Sequence, residues 1–201
     1  MSTPRTIAYL ATSVDGFIAG PDDDLDWLTE QRAAGMPFAA DAWAAQPAAG
    51  LGFDDLLARV DCLLMGRRTY DAVMAMGVPW PYGEMPVHVA TTRALEHHTS
   101  ADSGAATGPA PAVTPVSGSI GDLVAQALRA AHGKDVYVDG GAVVRDTLAA
   151  GLLDDLVVTI IPTVLGTGLP LFDASVPRTD LTVVNVAKYA DGYVQIHYHC
   201  R

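Results

Sequence analysis

Apolar residues recur along this chain with two different spacings. Runs rich in β-branched and aromatic residues predict strands at residues 7–13, 62–65, 87–91, 113–116, 136–138, 156–161, 181–189 and 193–199. Apolar residues spaced i, i+3 and i+4 predict helices at residues 53–60, 68–76, 120–132 and 142–150. Strands and helices alternate up to residue 161, which predicts an α/β fold with a mostly parallel, twisted central sheet and helices on both faces.

The C-terminal part of the chain follows a different pattern. Its two β-rich runs meet at Asp191-Gly192, which predicts an antiparallel hairpin at one edge of the sheet. Residues 31–50 are rich in alanine and favour a helix around 39–45, while residues 97–112, rich in Ala, Gly, Pro and Ser, predict a flexible insertion. Since no composition break divides the chain, we expect a single domain over residues 1–201.

Charge and composition narrow the classes of partner. The formal net charge of −11 speaks against nucleic acid and against an anionic membrane surface, because both require a basic footprint. No apolar run approaches the roughly 20 residues that a membrane-spanning helix needs. Cys62 and Cys200 are too few for a disulfide framework. We therefore expect a cytoplasmic protein whose ligand is a small molecule.

Two glycine-containing junctions carry the strongest chemical signal. Gly140 and Gly141 lie between a predicted strand and a predicted helix, and Gly66 lies at a similar junction before Arg67, Arg68 and Thr69. Glycine lets a ligand approach the backbone, and the unpaired N–H groups of a first helical turn attract anions. Ordinary turns and solvated arginines are the alternative, but two such junctions together favour a diphosphate site.

A third group of polar residues follows the strand predicted at 87–91. Thr91, Thr92 and Arg93 offer two hydroxyls and a guanidinium, the donors that a ribose 2′-phosphate needs, although the threonines could simply end the strand. An NAD site normally has an acidic residue instead, so NADP is favoured over NAD. A Rossmann fingerprint is missing, since the Gly166-Thr-Gly168 stretch continues into Leu-Pro.

Metal binding is not predicted. The pairs His97-His98 and His197-x-His199 have no third or fourth ligand at a recognisable spacing, so we interpret His197 and His199 as residues on the exposed face of a strand. The acidic run at residues 22–24 lacks the spacing of a calcium loop and is interpreted as solvated.

Five blocks stand in a fixed order, at residues 13–20, 65–70, 89–93, 137–145 and 154–172. In these blocks the chain resembles the dihydrofolate reductase-like superfamily, and within it the C-terminal reductase domain of the bifunctional riboflavin-biosynthesis deaminase/reductase and its free-standing bacterial relatives. The resemblance implies a dihydrofolate reductase-like three-layer fold and a reductase that uses NADPH, with the cofactor across the carboxyl ends of the central strands. The resemblance leaves open whether the peptide bond between Gly140 and Gly141 is cis.

The resemblance also implies a cofactor role for fifteen residues. Those expected near the nicotinamide are Leu10, Ala11, Ile18 and Ala19, and those expected near the diphosphate and adenosine are Gly66, Arg67, Arg68 and Thr69. Those expected near the 2′-phosphate are Thr91, Thr92 and Arg93. Those expected to close on the diphosphate are Gly140, Gly141, Ala142 and Val143.

Candidates for catalysis are Asp15, Asp26 and Trp27. Asp15 belongs to an Asp-Gly pair that also makes an ordinary turn, Asp26 could cap a helix, and Trp27 could be core. The expected reaction is reduction of a pteridine-like or ribosylaminopyrimidine-like molecule, with dihydrofolate reduction proper as one alternative. The other is an NADP-binding homodimeric module without turnover; a homodimer is expected in either case.

Overall fold

The computed structural model describes residues 3–28, 49–76, 80–95, 112–189 and 192–201. Within these ranges it contains ten strands and four α-helices whose two ends are both described. The strands are β1 Thr6–Ser13, β2 Phe17–Ala19, β3 Val60–Gly66, β4 Val87–Ala90, β5 Val113–Val116, β6 Asp135–Asp139, β7 Asp155–Ile161, β8 Leu169–Pro170, β9 Thr182–Lys188 and β10 Val194–His199. The helices are α1 Phe53–Arg59, α2 Arg67–Ala75, α3 Ile120–Ala130 and α4 Gly141–Ala149.

Eight of the strands form one sheet in the order β5-β4-β3-β6-β1-β7-β10-β9. Neighbours from β5 to β7 pair in parallel, whereas β10 is antiparallel to both β7 and β9. The predicted α/β class, the mostly parallel sheet and the C-terminal antiparallel hairpin are therefore confirmed. A second, two-stranded sheet of β2 and β8 was not predicted, because both strands are too short to show a periodic pattern.

Alternate residues of the central strands supply two separate hydrophobic cores. Cys62 and Leu64 of β3 face α3 and α4, while Leu63 and Met65 of the same strand face α1 and α2. All four side chains are fully buried, as expected for a parallel strand covered on both faces. The predicted arrangement of helices on both faces is thus correct.

Most observed boundaries lie within one or two residues of the predicted ones. The largest difference among the helix ends is at α3, which stops at Ala130, two residues before the predicted end. No cis peptide occurs among the described residues, so the Gly140–Gly141 bond is trans. The helix predicted around 39–45 lies outside the described residues. The insertion predicted at 97–112 also lies outside them, except for its last residue, 112.

The interpretation of His197 and His199 as exposed-face residues is wrong. Both histidines form hydrogen bonds with the same carboxylate oxygen of Asp155, a residue at the start of β7 whose side chain is only 1% exposed. His197 Nε2 lies 2.8 Å from Oδ1 of Asp155, and His199 Nδ1 lies 2.7 Å from the same atom. The guanidinium of Arg5 lies 3.0 Å from Oδ2. The antiparallel pairing of β10 with β7 creates this cluster, which could not be predicted from the spacing of the histidines alone.

Nowhere in the described ranges is there a helix with the length and apolarity needed to cross a lipid bilayer.

Candidate functional site

A cavity of about 900 Å³ lies at the carboxyl ends of the central strands. This is where ligands bind in open α/β sheets, and the volume is that of a large small-molecule site. Twelve of the fifteen residues predicted to bind the cofactor line this cavity: Leu10, Ala11, Ile18, Ala19, Gly66, Arg67, Arg68, Thr69, Gly140, Gly141, Ala142 and Val143. The structure thus brings most of that set together.

The two glycine junctions meet in space inside this cavity. Gly140 has φ +88°, and a Cβ atom placed on it would collide with the Thr69 hydroxyl of the other junction. A Cβ on Gly141 would come within 2.6 Å of the Ile18 side chain. Glycine at these two positions therefore lets the two junctions approach each other closely at the cavity wall.

The N-termini of α2 and α4 are electrostatically suited to an anion. Neither helix has a side-chain cap or an acidic residue in its first turn. By contrast, Asp54 and Asp55 lie in the first turn of α1, and Ser119 with Asp122 forms a capping box on α3. A ligand with negative charge would supply the interaction that α2 and α4 lack.

The arginines of α2 and α4 are held by neighbouring acceptors. Arg67 Nε lies 2.7 Å from Asp71 Oδ1, and Arg68 Nη2 lies 2.6 Å from Asp23 Oδ1. Hydrogen bonding to Asp23 raises the pKa of Arg68 further. Arg145 of α4 donates from Nη1 to the carbonyl oxygens of residues 170 and 171. An anionic ligand at Arg68 would therefore compete with the Asp23 carboxylate.

Thr91, Thr92 and Arg93 lie outside this cavity. The Thr91 hydroxyl accepts a hydrogen bond from the Arg93 backbone N–H at 3.1 Å, so it stabilises the turn after β4. Arg93 borders an adjoining cavity of about 910 Å³, which shares Arg68 and Asp23 with the first. Its acidic lining residues outnumber its two arginines. Within the described residues, no ion pair involves Arg93.

Asp15 does not line the cavity. Its carboxylate accepts hydrogen bonds from the Ser13 hydroxyl at 2.6 Å and from the backbone N–H groups of Leu165 and Gly166 at 3.1 and 2.7 Å. The bond from Ser13 is the main cause of a pKa lowered to about 2. An ionised carboxylate has no proton to donate at neutral pH, so the geometry gives Asp15 a role in joining two loops.

Asp26 and Trp27 also lie off the cavity wall. Asp26 borders the adjoining cavity, where its backbone N–H donates to Asp24. Trp27 is 5% exposed and packs against Ile161 and Tyr193, which do line the main cavity. The tryptophan therefore supports the wall from behind, which agrees with the alternative that it is a core residue.

Asp139, at the end of β6, is a cavity residue that the sequence analysis did not single out. Its carboxyl group accepts hydrogen bonds from the Tyr82 hydroxyl at 2.8 Å and from the Gly140 backbone N–H at 2.7 Å. Burial raises its pKa above the usual range, against the opposing effect of these bonds. Its place directly before the glycine pair was a signal that could have identified it.

An aromatic wall is the second feature that the sequence analysis missed. Ring centroids are 6.0 Å apart for Tyr9 and Phe53, 6.1 Å for Phe53 and Tyr82, and 6.0 Å for Tyr82 and Tyr137. All four rings line the cavity. They come from four different elements or loops, so no local sequence pattern connects them.

The sheet order, the helix layers and the cavity at the carboxyl ends define an α/β protein of the dihydrofolate reductase-like fold. Residues 4–195 match the model of the RibD C-terminal domain, and the chain belongs to that family. It is 29% identical over 199 residues to the uncharacterized protein YwjB of Bacillus subtilis, covering 96% of this chain and 97% of that protein.

Solved structures agree with this fold. A protein of Shewanella sp. PV-4, whose name assigns it provisionally to riboflavin biosynthesis, is 31% identical with a TM-score of 0.76, covering 98% of this chain and 99% of that one. A diaminohydroxyphosphoribosylaminopyrimidine deaminase/5-amino-6-(5-phosphoribosylamino)uracil reductase of Thermotoga maritima is 17% identical with a TM-score of 0.61, covering 99% of this chain and 57% of that one. Membership of the RibD C-terminal domain family indicates a reductase with a nicotinamide cofactor.

Proposed function

We propose that this chain is an NADPH-dependent reductase of a C=N or carbonyl group in a small heterocycle, pteridine-like or ribosylaminopyrimidine-like. The observation that carries the proposal is the meeting of two uncapped helix N-termini at Gly140 and Thr69 inside one cavity. The Thermotoga relative's name, which includes 5-amino-6-(5-phosphoribosylamino)uracil reductase, supports the reaction class. A cytoplasmic location stays a prediction from the sequence.

The chain's residues fit the parts of this cofactor. The first turns of α2 and α4 offer backbone N–H groups to a diphosphate, and Leu10, Ala11 and Ile18 give an apolar surface to a planar ring. Arg93, on the adjoining cavity, would pair with the 2′-phosphate. When bound, the reduced nicotinamide would supply the hydride to the acceptor carbon.

The acceptor nitrogen or oxygen must gain a proton as its carbon gains the hydride. Asp139 is the cavity carboxyl whose pKa is raised by burial, so it keeps its proton to higher pH than an ordinary aspartic acid. The Tyr82 hydroxyl orients this carboxyl group. We assign the proton transfer to Asp139, which lines the cavity and would recover its proton from water that enters after the product leaves.

Calorimetry with the two nicotinamide cofactors tests the cofactor assignment. Because only NADPH has a 2′-phosphate, Arg93→Ala should weaken NADPH binding about tenfold or more and change NADH binding little. Arg129→Ala, an exposed arginine on α3, is the matched control and should leave both affinities unchanged. Equal losses for the two cofactors in Arg93→Ala would contradict the role given to Arg93.

Turnover separates the proposal from its two alternatives. Loss of NADPH absorbance with pterins, flavin precursors or small carbonyl compounds supports a reductase. A module without turnover would bind NADPH to saturation and show no such loss. Rapid, methotrexate-sensitive oxidation of NADPH with dihydrofolate would instead favour dihydrofolate reduction proper.

A further inference from the structure

One part of the cavity, which we call the acceptor chamber, is lined mainly by aromatic rings. It lies on the sheet face covered by α1 and α2, next to the ends of β1, β6, β7 and β10. Its lining residues are Tyr9, Phe53, Tyr82, Tyr137, Asp139, Thr159, Tyr189, Tyr193 and Gln195. Flat apolar walls of this kind fit a planar ring, because aromatic rings stack well on one another.

The chamber's polar side chains are mostly occupied by the protein itself. Gln195 is 2% exposed; its Oε1 accepts from the Leu51 backbone N–H at 2.7 Å, and its Nε2 donates to the Leu51 carbonyl at 3.1 Å. The Tyr137 hydroxyl donates to the Tyr9 carbonyl at 2.6 Å. These groups shape the chamber and have little capacity left for a charged ligand.

Positive charge in the cavity lies elsewhere. Its described lining residues include three cations, Arg67, Arg68 and Arg145, and all of them belong to α2 or α4. Each already contacts a carboxylate of Asp71, Asp23 or Asp173. The one carboxyl group of the chamber, on Asp139, would repel an anion whenever it is ionised.

We propose that the acceptor chamber takes an uncharged planar heterocycle and excludes its phosphorylated ribosyl derivatives. This inference rests on the proposed reductase function and narrows its substrate class. A buried phosphate needs charge-assisted hydrogen bonds, and without them its loss of hydration is not compensated. The carboxylates of a folate tail meet the same obstacle.

Tyr193 supplies a polar contact for such a ring. Its side chain is 6% exposed and lines the cavity, yet its buried hydroxyl has no hydrogen-bond partner among the described residues. Buried hydroxyls are normally paired, so an unpaired one in a cavity wall points to a ligand atom. A carbonyl oxygen or ring nitrogen of the heterocycle would accept this hydrogen bond.

A pair of substrates that differ only in the phosphate tests the proposal. With NADPH saturating, we expect kcat/KM for 5-amino-6-ribosylaminouracil to equal or exceed that for its 5′-phosphate. A preference of about tenfold or more for the phosphate, 1.4 kcal/mol, would overturn the inference. Arg32 is the one Lys or Arg of the sequence outside the described residues, and Arg32→Ala should leave the ratio unchanged. A tenfold loss confined to the phosphate in that variant would equally overturn it.

Binding decides the question if neither compound is reduced. In that case lumazine should still bind, as measured by quenching of the protein's intrinsic fluorescence, and its Kd should be lower than that of a phosphorylated ribosyl derivative.

Tyr193→Phe should raise the Kd of lumazine about tenfold, because an acceptor atom of the ring loses its hydrogen-bond donor. Tyr198→Phe is the control and should not change it, because Tyr198 lies on strand β10, which begins directly after Tyr193, but packs against the opposite core. Tighter binding of the phosphorylated compound, or equal effects of the two variants, would refute the proposal. Loss of NADPH turnover alone would refute only the reductase assignment.

Discussion

Asp15 follows strand β1 and Asp139 ends the neighbouring strand β6, yet the carboxyl group of Asp15 is exposed and that of Asp139 is buried. Three donors converge on the exposed carboxylate of Asp15 and lower its pKa to about 2. Burial raises the pKa of Asp139, against the lowering effect of the hydrogen bond from Tyr82. The sequence identified Asp15 because Asp-Gly is a recognisable pair. The burial that raises the pKa of Asp139 arises from tertiary packing and could not be inferred from the sequence; its hydrogen-bond partner Tyr82 is 57 residues away.

The pH dependence of turnover should report this difference. Because the protonated carboxyl group of Asp139 is the proposed donor, kcat/KM should fall as the pH rises through the pKa of Asp139, which lies above the usual range for aspartic acid. Asp139→Asn removes the donor, so the rate should drop by roughly two orders of magnitude and this limb of the profile should disappear.

Asp135→Asn, at the opposite end of β6 and outside the cavity, is the control for this measurement. It should keep both the rate and the falling limb of the wild-type profile. An unchanged pH profile in Asp139→Asn would mean that another group, or water, donates the proton.

At the scale of elements, the sequence predicted those strands and helices whose periodic pattern matches their burial. It also predicted the two strand-to-helix junctions, because glycine between a strand pattern and a helix pattern is visible locally, as the pair at 140–141 and as the single Gly66. It did not predict the β2–β8 pair or the cluster of Asp155 with His197 and His199. Those features depend on which strands become neighbours, and 42 residues separate Asp155 from His197.

Glycine at position 140 should be needed for both folding and cofactor binding. Alanine there has to adopt φ +88° and displace the Thr69 hydroxyl, so Gly140→Ala should cost about 2–3 kcal/mol of unfolding free energy. NADPH binding should also weaken, because the β3–α2 junction that holds Thr69 must shift. Denaturant unfolding and calorimetry measure the two effects.

Gly151, which lies two residues after the end of the same helix, provides a matched control. Its φ is +66°, but a Cβ there would have no atom within 4 Å. Gly151→Ala should therefore cost about 1 kcal/mol through backbone strain alone and leave NADPH affinity unchanged. If both variants bound NADPH like the wild type, the junction at Gly140 would not be part of the cofactor site.

At the scale of the whole molecule, the two edges of the large sheet differ. At one edge, β5 is four residues long. At the other, β9 is seven residues long, and three of its valines are exposed by 42–56%: Val183, Val184 and Val186. Long apolar edge strands are prone to pair with a second chain, and natural proteins usually protect them with charges or cover. This contrast makes β9 the best candidate for a subunit interface.

A homodimer formed through β9 is therefore our expectation for the protein in solution. Light scattering should give twice the 21.0 kDa chain mass, and Val186→Lys should shift the protein toward the monomer, because a charge at an isologous interface meets its own copy across the two-fold axis. Val164→Lys is the control: Val164 is 70% exposed but lies on a loop away from β9, so the dimer should survive that substitution. A wild-type mass of 21.0 kDa at micromolar concentration would contradict the dimer, and dissociation by both substitutions would remove β9 as its interface. Since β9 also carries Ala187 opposite Gln195 of the acceptor chamber, a dimer built on this edge would hold one wall of the chamber in place.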